Sequence, residues 1–134
     1  MKVCIIGGGK VGFHLANKLM HHNHQVVVVE QDKKICYTIA NQLDTKIING
    51  DGSSIDILNI AKVDKSFDVF IATTGIDEVN LVSCQLAKKV FGINKTVARV
   101  NNPKNTIIMS KLGVDFTVST TSTIAKLLEI EAEK

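Results

Sequence analysis

A glycine-rich turn near the start of the chain constrains the fold more than any other feature. It carries the pattern G-x-G-x-x-G through Gly7, Gly9 and Gly12. The apolar residues 1–6 before it predict a short buried strand, and the apolar spacing after it predicts a helix over residues 10–22. Backbone N–H groups and the positive end of the helix dipole therefore converge at the turn, an arrangement that holds phosphate groups.

The three glycines and a nearby acid together predict a dinucleotide-binding unit. Gly7 allows the tight turn, Gly9 leaves the backbone open to a pyrophosphate, and Gly12 lets the helix pack closely on the strand. A second predicted strand, residues 25–30, ends in Glu30, 18 residues after the last glycine. A carboxylate there accepts ribose hydroxyls and repels a 2′-phosphate, which favours NAD(H) or an adenine nucleotide such as ATP over NADP. The alternative for Glu30 is a solvated acid at a strand end.

Strand and helix patterns alternate along the rest of the chain, which predicts a parallel sheet covered on both faces. The predicted strands lie at residues 1–6, 25–30, 45–49, 68–72, 96–100 and 114–118. We therefore expect a single α/β domain, a doubly wound Rossmann fold of six strands in the order 3-2-1-4-5-6. Asp32 is predicted to cap the second helix, and Pro103 to lie in the first turn of the helix after strand five.

Composition excludes several classes of function. The chain has 134 residues, of which 45% are hydrophobic and 22% charged, as expected of one globular domain. Its net charge of +3 is scattered and only 4% of residues are aromatic, so we expect no nucleic-acid partner. No apolar run reaches the ~20 residues of a membrane helix, and the chain starts directly in a strand, so we expect neither membrane insertion nor a signal peptide.

Cysteines and histidines are interpreted as structural. Cys4, Cys36 and Cys84 lie inside predicted strands or helices, which is typical of small buried hydrophobes in a reducing cytoplasm. The remaining candidates are adjacent histidines at a helix end, where cations stabilise the helix dipole, and no ligand-spaced cysteine or acid accompanies them. These are His21, His22 and His24, and no metal site is predicted.

Residues that end strands three and four are candidates for ligand contact, because ligands of such sheets bind at the carboxyl ends of the strands. Asp51 follows strand three and is expected to accept the adenine amino group; the alternative is an Asx turn over the neighbouring loop. Thr73, Thr74 and Gly75 follow strand four and are expected to contact ribose or phosphate. The alternative for them is a plain helix-capping loop.

Two cations complete the predicted site. Arg99, the only arginine, lies near the end of strand five, where a charge is costly unless it is paired. Lys10 lies within the glycine turn, where an ammonium reaches phosphate as a point charge. Both are expected to meet phosphate, with structural ion pairs as the alternative.

The motifs predict binding without turnover. No nucleophile elbow, catalytic Cys–His spacing or metalloprotease motif is present. A dehydrogenase also needs a substrate domain, for which this chain has no candidate segment. The alternative is the cofactor domain of an NAD-dependent oxidoreductase that lacks its substrate domain.

Six segments in fixed order resemble one known family. The segments are Gly7-x-Gly9-Lys10-Val11-Gly12, Val29-Glu30-Gln31-Asp32, Asn49-Gly50-Asp51-Gly52-Ser53, Ile71-Ala72-Thr73-Thr74, Asp77-Glu78-Val79-Asn80-Leu81 and Ala98-Arg99-Val100-Asn101. Over residues 2–119 the chain resembles the TrkA N-terminal domain, also called the KTN or RCK domain, of potassium transporters and channels. The D-E-x-N-L and A-R-V-N segments distinguish this family from other Rossmann domains.

The resemblance implies a cytoplasmic nucleotide sensor at the inner face of the membrane, which binds NAD(H) or ATP/ADP and gates a potassium transporter or channel. It implies a homodimer or a higher ring, with movement at the hinge between paired domains. A sensor that acts on something other than potassium is the further alternative. The resemblance implies that Glu30 holds ribose and that Asp51 and Gly52 hold the adenosine end of the ligand. It also implies that Gly9, Lys10 and Val11 hold the phosphates and that Thr73 and Arg99 line the same crevice.

The predicted final helix, residues 120–134, stands apart from the domain at residues 1–119. Its apolar residues share one side, namely Ile124, Leu127, Leu128 and Ile130. We interpret it as a crossover or dimerisation helix, with ordinary packing on the sheet as the alternative. The family's usual C-terminal ligand-binding domain has no counterpart in this sequence, so we expect a fragment or a minimal stand-alone subunit.

Overall fold

Runs of valine and isoleucine form the sheet, because β-branched side chains favour extended backbone. The computed structural model describes residues 1–134. Its strands are β1 Lys2–Ile6, β2 Gln25–Glu30, β3 Lys46–Asn49, β4 Val69–Ala72, β5 Thr96–Val100 and β6 Phe116–Ser119. Every neighbouring pair is parallel, and the order β3-β2-β1-β4-β5-β6 confirms the predicted topology and the α/β Rossmann fold.

Six α-helices connect and follow the strands. They are α1 Lys10–His21, α2 Lys33–Gln42, α3 Ile55–Ile60, α4 Asp77–Lys89, α5 Thr106–Lys111 and α6 Thr120–Ala132. The Asp32 carboxylate accepts the N–H groups of Lys34 and Ile35, which confirms the predicted cap of α2. Pro103 begins a 3-10 turn just before α5, capped by Asn102. No helix of the structure has the length and apolar character needed to cross a bilayer.

The core forms two layers, because alternate side chains of each strand point to opposite faces. Cys4 and Ile6 of β1 belong to the layer beneath α3, α4 and α5, which holds 17 buried hydrophobic residues. Val3 and Ile5 of the same strand belong to the layer beneath α1 and α2, which holds eight. The sheet is therefore covered on both faces, but the two layers differ in extent.

The half of the second face formed by β4, β5 and β6 is only partly covered, and its β6 edge carries no helix. The register aligns Ile71 of β4 with Val97 of β5, and Val97 with Phe116 of β6. Val118 lies further along the same side of β6. We call these four residues the bare face, although Ile71 and Val97 are partly buried against the layer beneath α1 and α2 and only the two residues of β6 are open. Phe116 and Val118 are 56% and 49% exposed, because the connections after β4 and β5 cross on the opposite face.

Two predictions about the end of the chain need correction or comment. β6 begins at Phe116 rather than at Val114, because the Asp115 carboxylate turns back to accept the N–H of Thr96 and to pair with Lys88. The alternative of ordinary packing for α6 on its own sheet is wrong. The helix has no buried residue, and Leu127 and Leu128 are 59% and 65% exposed.

Candidate functional site

The carboxyl ends of the strands open onto one crevice of about 270 Å³, at the point where the strand order reverses. Among its lining residues are ten of the twelve that the sequence predicted as a site: Gly7, Gly9, Val11, Glu30, Asp51, Gly52, Thr73, Thr74, Gly75 and Arg99. Lys10 and Gly12 do not line it. Apolar lining residues, including Ile6, Val29, Ile76 and Val79, were not predicted.

The backbone of the glycine turn requires glycine at two of its three positions. Gly7 has a φ of +101°, in the left-handed region that side chains disfavour. A Cβ on Gly12 would lie 1.8 Å from the carbonyl oxygen of Gly7, so Gly12 serves close packing of helix on strand. A Cβ on Gly9 would meet nothing within 4 Å, so at that glycine the backbone is open to the crevice.

Glu30 is fixed between the turn and the helix that follows. Its Oε1 accepts the N–H of Gly8 at 2.7 Å, and its Oε2 accepts the N–H of Asp32 at 2.6 Å. The side chain is half-buried and lines the crevice. The chain therefore holds this acid in one position at the strand end, and its contact with ribose stays a prediction. A carboxylate that already accepts two N–H groups retains lone pairs for further donors, such as ribose hydroxyls.

The loop after β3 contains the Asx turn that the sequence left as the alternative for Asp51. The Asp51 Oδ1 accepts the Ser53 N–H at 2.9 Å and the Ser53 hydroxyl at 2.7 Å. Asp51 and Gly52 nevertheless line the crevice. A Cβ on Gly52 would lie 2.3 Å from Ile6 Cγ2, so the glycine permits the close approach of this loop to β1.

The threonines after β4 are engaged within the chain. The buried Thr73 hydroxyl lies 3.1 Å from the carbonyl oxygen of Ile6 and 3.2 Å from that of Gly7, and it fastens β4 to the glycine turn. The Thr74 hydroxyl donates to Asn80 Oδ1 at 2.6 Å. The loop thus presents mainly backbone to the crevice, and Gly75 is its exposed member.

Asn80 holds this loop in place and was missed as a functional residue by pattern reasoning. It is 0% exposed. Its Nδ2 donates to the carbonyl oxygens of Thr74 and Arg99 at 3.0 and 2.9 Å, and its Oδ1 accepts the Thr74 N–H. A buried amide with all its groups satisfied rigidifies its surroundings. The signal that could have identified Asn80 was the D-E-x-N-L segment, which was interpreted above only as a mark of the family.

Asp77 holds the loop after β5 in place. Its carboxylate accepts the N–H groups of Asn101 and Asn102 at 2.7 and 3.0 Å, and the Asn105 amide at 2.8 Å. Burial raises the pKa of this carboxyl, but the donors named here outweigh burial and hold its pKa below the ordinary value. The two networks join β4, α4 and β5 into one rigid wall of the crevice.

The two predicted cations lie in different places. Arg99 lines the crevice; its Nε donates to Thr120 Oγ1 at 3.1 Å, and its Nη1 lies 3.5 Å from the carbonyl oxygen of Thr73. It forms no salt bridge, so the ion-pair alternative is wrong for Arg99. Lys10 is exposed and also unpaired, and it borders a shallow groove with Phe13 on the side of α2.

The cysteines and histidines lie outside the crevice lining. Cys4 and Cys84 are fully buried, and burial raises the pKa of the Cys84 thiol to about 12. Cys36 is only half-buried, unlike the predicted interior position. At the end of α1, His21 Nδ1 lies 2.8 Å from the Asn17 carbonyl oxygen, in the predicted capping arrangement. No group of three His, Cys, Asp or Glu side chains converges in a metal-binding arrangement.

A family model and a curated relative match nearly the whole chain. The model described as the TrkA-N domain matches residues 3–120. A protein of Methanothermobacter thermautotrophicus described as a Trk system potassium uptake protein TrkA homolog is 41% identical over 129 residues. The match covers 96% of this chain and 59% of the relative, so the chain spans about three fifths of that protein's length.

Solved structures share the fold at low sequence identity. The chain of a structure described as the GsuK channel bound to NAD superposes with a TM-score of 0.84 at 21% identity, over 95% of this chain and 23% of the other. The Kef C-terminal domain of Shewanella denitrificans in an AMP-bound form superposes with a TM-score of 0.83 at 24% identity, over 98% and 79%. These likenesses establish the architecture alone.

Proposed function

We propose, from the premise that this chain belongs to the TrkA-N domain family, that it is a nucleotide-binding regulatory module of a potassium transport system. The observation that carries the proposal is the pairing of Glu30 with an open glycine turn at the mouth of one crevice. The N–H groups at the start of α1 suit a pyrophosphate, and the fixed carboxylate suits the ribose hydroxyls. The ligand is NAD(H) or ATP/ADP.

The crevice binds its ligand without catalysing a reaction. Its lining contains no histidine, cysteine, lysine or tyrosine to act as a general acid or base. The two acids present, Glu30 and Asp51, are held in place by neighbouring N–H groups, as expected of residues that position a ligand. The module is therefore a sensor whose output is a conformational difference between ligand states, which requires unequal affinity of the ligand for those states.

The first experiment is calorimetric titration with NAD⁺, NADH, ATP and ADP. We expect binding of at least one, lost in Glu30→Ala by about tenfold or more, since charge-assisted bonds are worth about 1.5–3 kcal/mol. Asp32→Ala is the matched control, because Asp32 caps α2 next to Glu30 but does not line the crevice. Absence of binding by all four ligands contradicts the proposal, and equal loss in both variants assigns Glu30 a structural role alone.

We propose further that two copies of the chain pair through α6. The helix exposes Leu127 and Leu128, while a groove of about 330 Å³ beside its first turn is walled by Val97 and Val118 of the bare face. Two apolar surfaces of one chain that do not cover each other fit an exchange between copies. Residues 1–119 then form the nucleotide domain and residues 120–134 the crossover helix of a homodimer or a ring.

Sedimentation of Leu127→Glu tests this pairing. We expect a shift from dimer to monomer at equal concentration, because a charge is costly in an apolar contact. Ile60→Glu is the control, since Ile60 is 60% exposed on α3, remote in the chain from α6. A monomeric wild type, or a dimer that survives the Leu127 change, contradicts the assignment of α6.

The regulated partner is a membrane potassium transporter or channel, which places the module at the cytoplasmic face of the cell membrane through that partner. Potassium flux through a co-reconstituted transporter should respond to NADH or ATP in the presence of the module and not in its absence. A flux that ignores both nucleotides counts directly against the regulatory role.

A further inference from the structure

Arg99 stands between two cavities. It lines the ligand crevice together with Glu30, and it also lines the apolar groove beside Ile124 at the first turn of α6. It is the only arginine of the chain. A residue common to the ligand site and the exposed helix is positioned to transmit a change from one to the other.

The contacts of Arg99 fix its main chain and leave part of its guanidinium free. Its carbonyl oxygen accepts the buried Asn80 Nδ2 at 2.9 Å, which anchors the end of β5. Its Nε donates to Oγ1 of Thr120, the first residue of α6, at 3.1 Å. Its Nη1 has only the Thr73 carbonyl oxygen at the long distance of 3.5 Å, and no acid pairs with the group.

A guanidinium is rigid and planar, so fixing one nitrogen sets the direction of the others. Thr120 therefore determines how the Nη groups of Arg99 are presented to an anion in the crevice. The same bond holds the start of α6 only as long as Arg99 keeps this orientation. An anion bound to the Nη groups restrains the plane and, through it, Thr120.

We propose that the Arg99–Thr120 hydrogen bond couples phosphate in the crevice to the orientation of α6. Thr120 acts as a positioning residue, and a ligand phosphate strengthens its hold on the first turn of the helix. The coupling is reciprocal, so any partner that turns Thr120 away from Arg99 weakens phosphate binding by the same factor. This inference rests on the proposed nucleotide-binding function and names how that site is regulated.

Three variants measured with two ligands test the coupling. Thr120→Val removes the hydroxyl, Thr120→Ser retains it, and Thr121→Val is a control at the exposed neighbour. We expect Thr120→Val to weaken ADP binding about threefold to tenfold, less than the full worth of a hydrogen bond from a charged group because only the orientation of Arg99 is lost, and to leave adenosine binding unchanged. Thr120→Ser and Thr121→Val should bind both ligands as the wild type does. A general loosening of the fold would instead weaken both ligands together.

Amide hydrogen exchange supplies the readout on the helix. In the wild type, ADP should slow exchange of the glycine turn and also of the first turn of α6. In Thr120→Val, saturating ADP should protect the glycine turn and leave α6 unaffected. Equal ADP affinity in Thr120→Val and wild type, or protection of α6 that survives the substitution, overturns the coupling alone. A wild type that binds no nucleotide overturns the proposed function with it.

Discussion

The two halves of one sheet face have similar residues and opposite surroundings. Under α1 and α2, Val3 and Ile5 are 0% exposed. In the other half, on the same side of the sheet, Phe116 and Val118 are about half exposed. Valine and isoleucine side chains favour strands in both halves, so local preference does not cause the difference. Topology causes it, since right-handed connections carry the helices after β4 and β5 to the opposite face.

The comparison shows how a complete sheet can leave a surface unfinished. A parallel sheet is normally buried on both faces. Here the β6 edge of one face, at Phe116 and Val118, is apolar and open, and it adjoins a helix, α6, whose own apolar side is also open. Substitutions made in each half, and compared by their effect on stability and on pairing, therefore show whether the uncovered half is an interface.

The largest expected effect breaks the covered half itself. Gly12→Ala places a Cβ 1.8 Å from the Gly7 carbonyl oxygen and 2.9 Å from Thr73 Oγ1, and backbone cannot yield that distance. We expect loss of the cooperative unfolding transition. Gly9→Ala, whose Cβ meets nothing within 4 Å, should cost less than about 1 kcal/mol and reduce nucleotide affinity. Thermal denaturation of both variants measures this. A normal transition for Gly12→Ala would contradict the packing role of Gly12.

Truncation in each half should separate them quantitatively. Ile5→Ala should lower the free energy of unfolding by about 2–5 kcal/mol, because it empties a fully buried position. Val118→Ala should cost less than about 1 kcal/mol in the monomer, since the side chain is half exposed. Urea denaturation at low protein concentration measures both. Similar costs would mean that the bare face is buried in the monomer.

A charge on the bare face sharpens the comparison by making it depend on concentration. Val118→Lys should leave monomer stability within about 1 kcal/mol of wild type. At high concentration it should prevent the added stability that pairing gives the wild type. Denaturation midpoints across a hundredfold range of concentration measure this. A midpoint that does not vary with concentration in the wild type would show that nothing covers the bare face in solution.

The last expected effect is a change in acid dependence, and it concerns the wall on the opposite face. The pKa of Asp77 is held below its ordinary value, so the unfolded chain binds its proton more readily. The resulting stability is present above that ordinary value and is lost as pH falls through the folded pKa. Asp77→Asn should reduce this acid dependence and cost about 1–2 kcal/mol near neutral pH. Asp56→Asn, at an exposed acid of α3, is the control. An unchanged acid dependence in Asp77→Asn would contradict the role of this carboxylate.

The sequence predicted the strand order and most of the crevice because both follow from local signals. The crevice is specified within one short stretch of sequence, in which a glycine turn lies between Ile6 and α1 and an acid follows at the end of β2. The sequence did not predict on which side of the turn the Lys10 side chain lies. The first residue of a helix can face either of the two grooves beside it, and Lys10 faces the one next to α2. The Asn80 and Asp77 networks join residues about 20 to 30 positions apart, and spacing alone does not reveal such contacts. Burial of α6 was equally undetermined, since its apolar side fits its own sheet or a partner.

The position of α6 also has a mechanical consequence. The helix begins at Thr120, at the edge of the sheet that holds the crevice, and runs to Ala132 with no buried residue. Its 13 residues make a lever about 18 Å long, pivoted beside the crevice. A tilt of about 10° at the pivot displaces the far end by about 3 Å, given that rise per residue. A rearrangement at Arg99 that is too small to alter the sheet would thus move the far end of α6, and any partner bound there, by about the width of an atom.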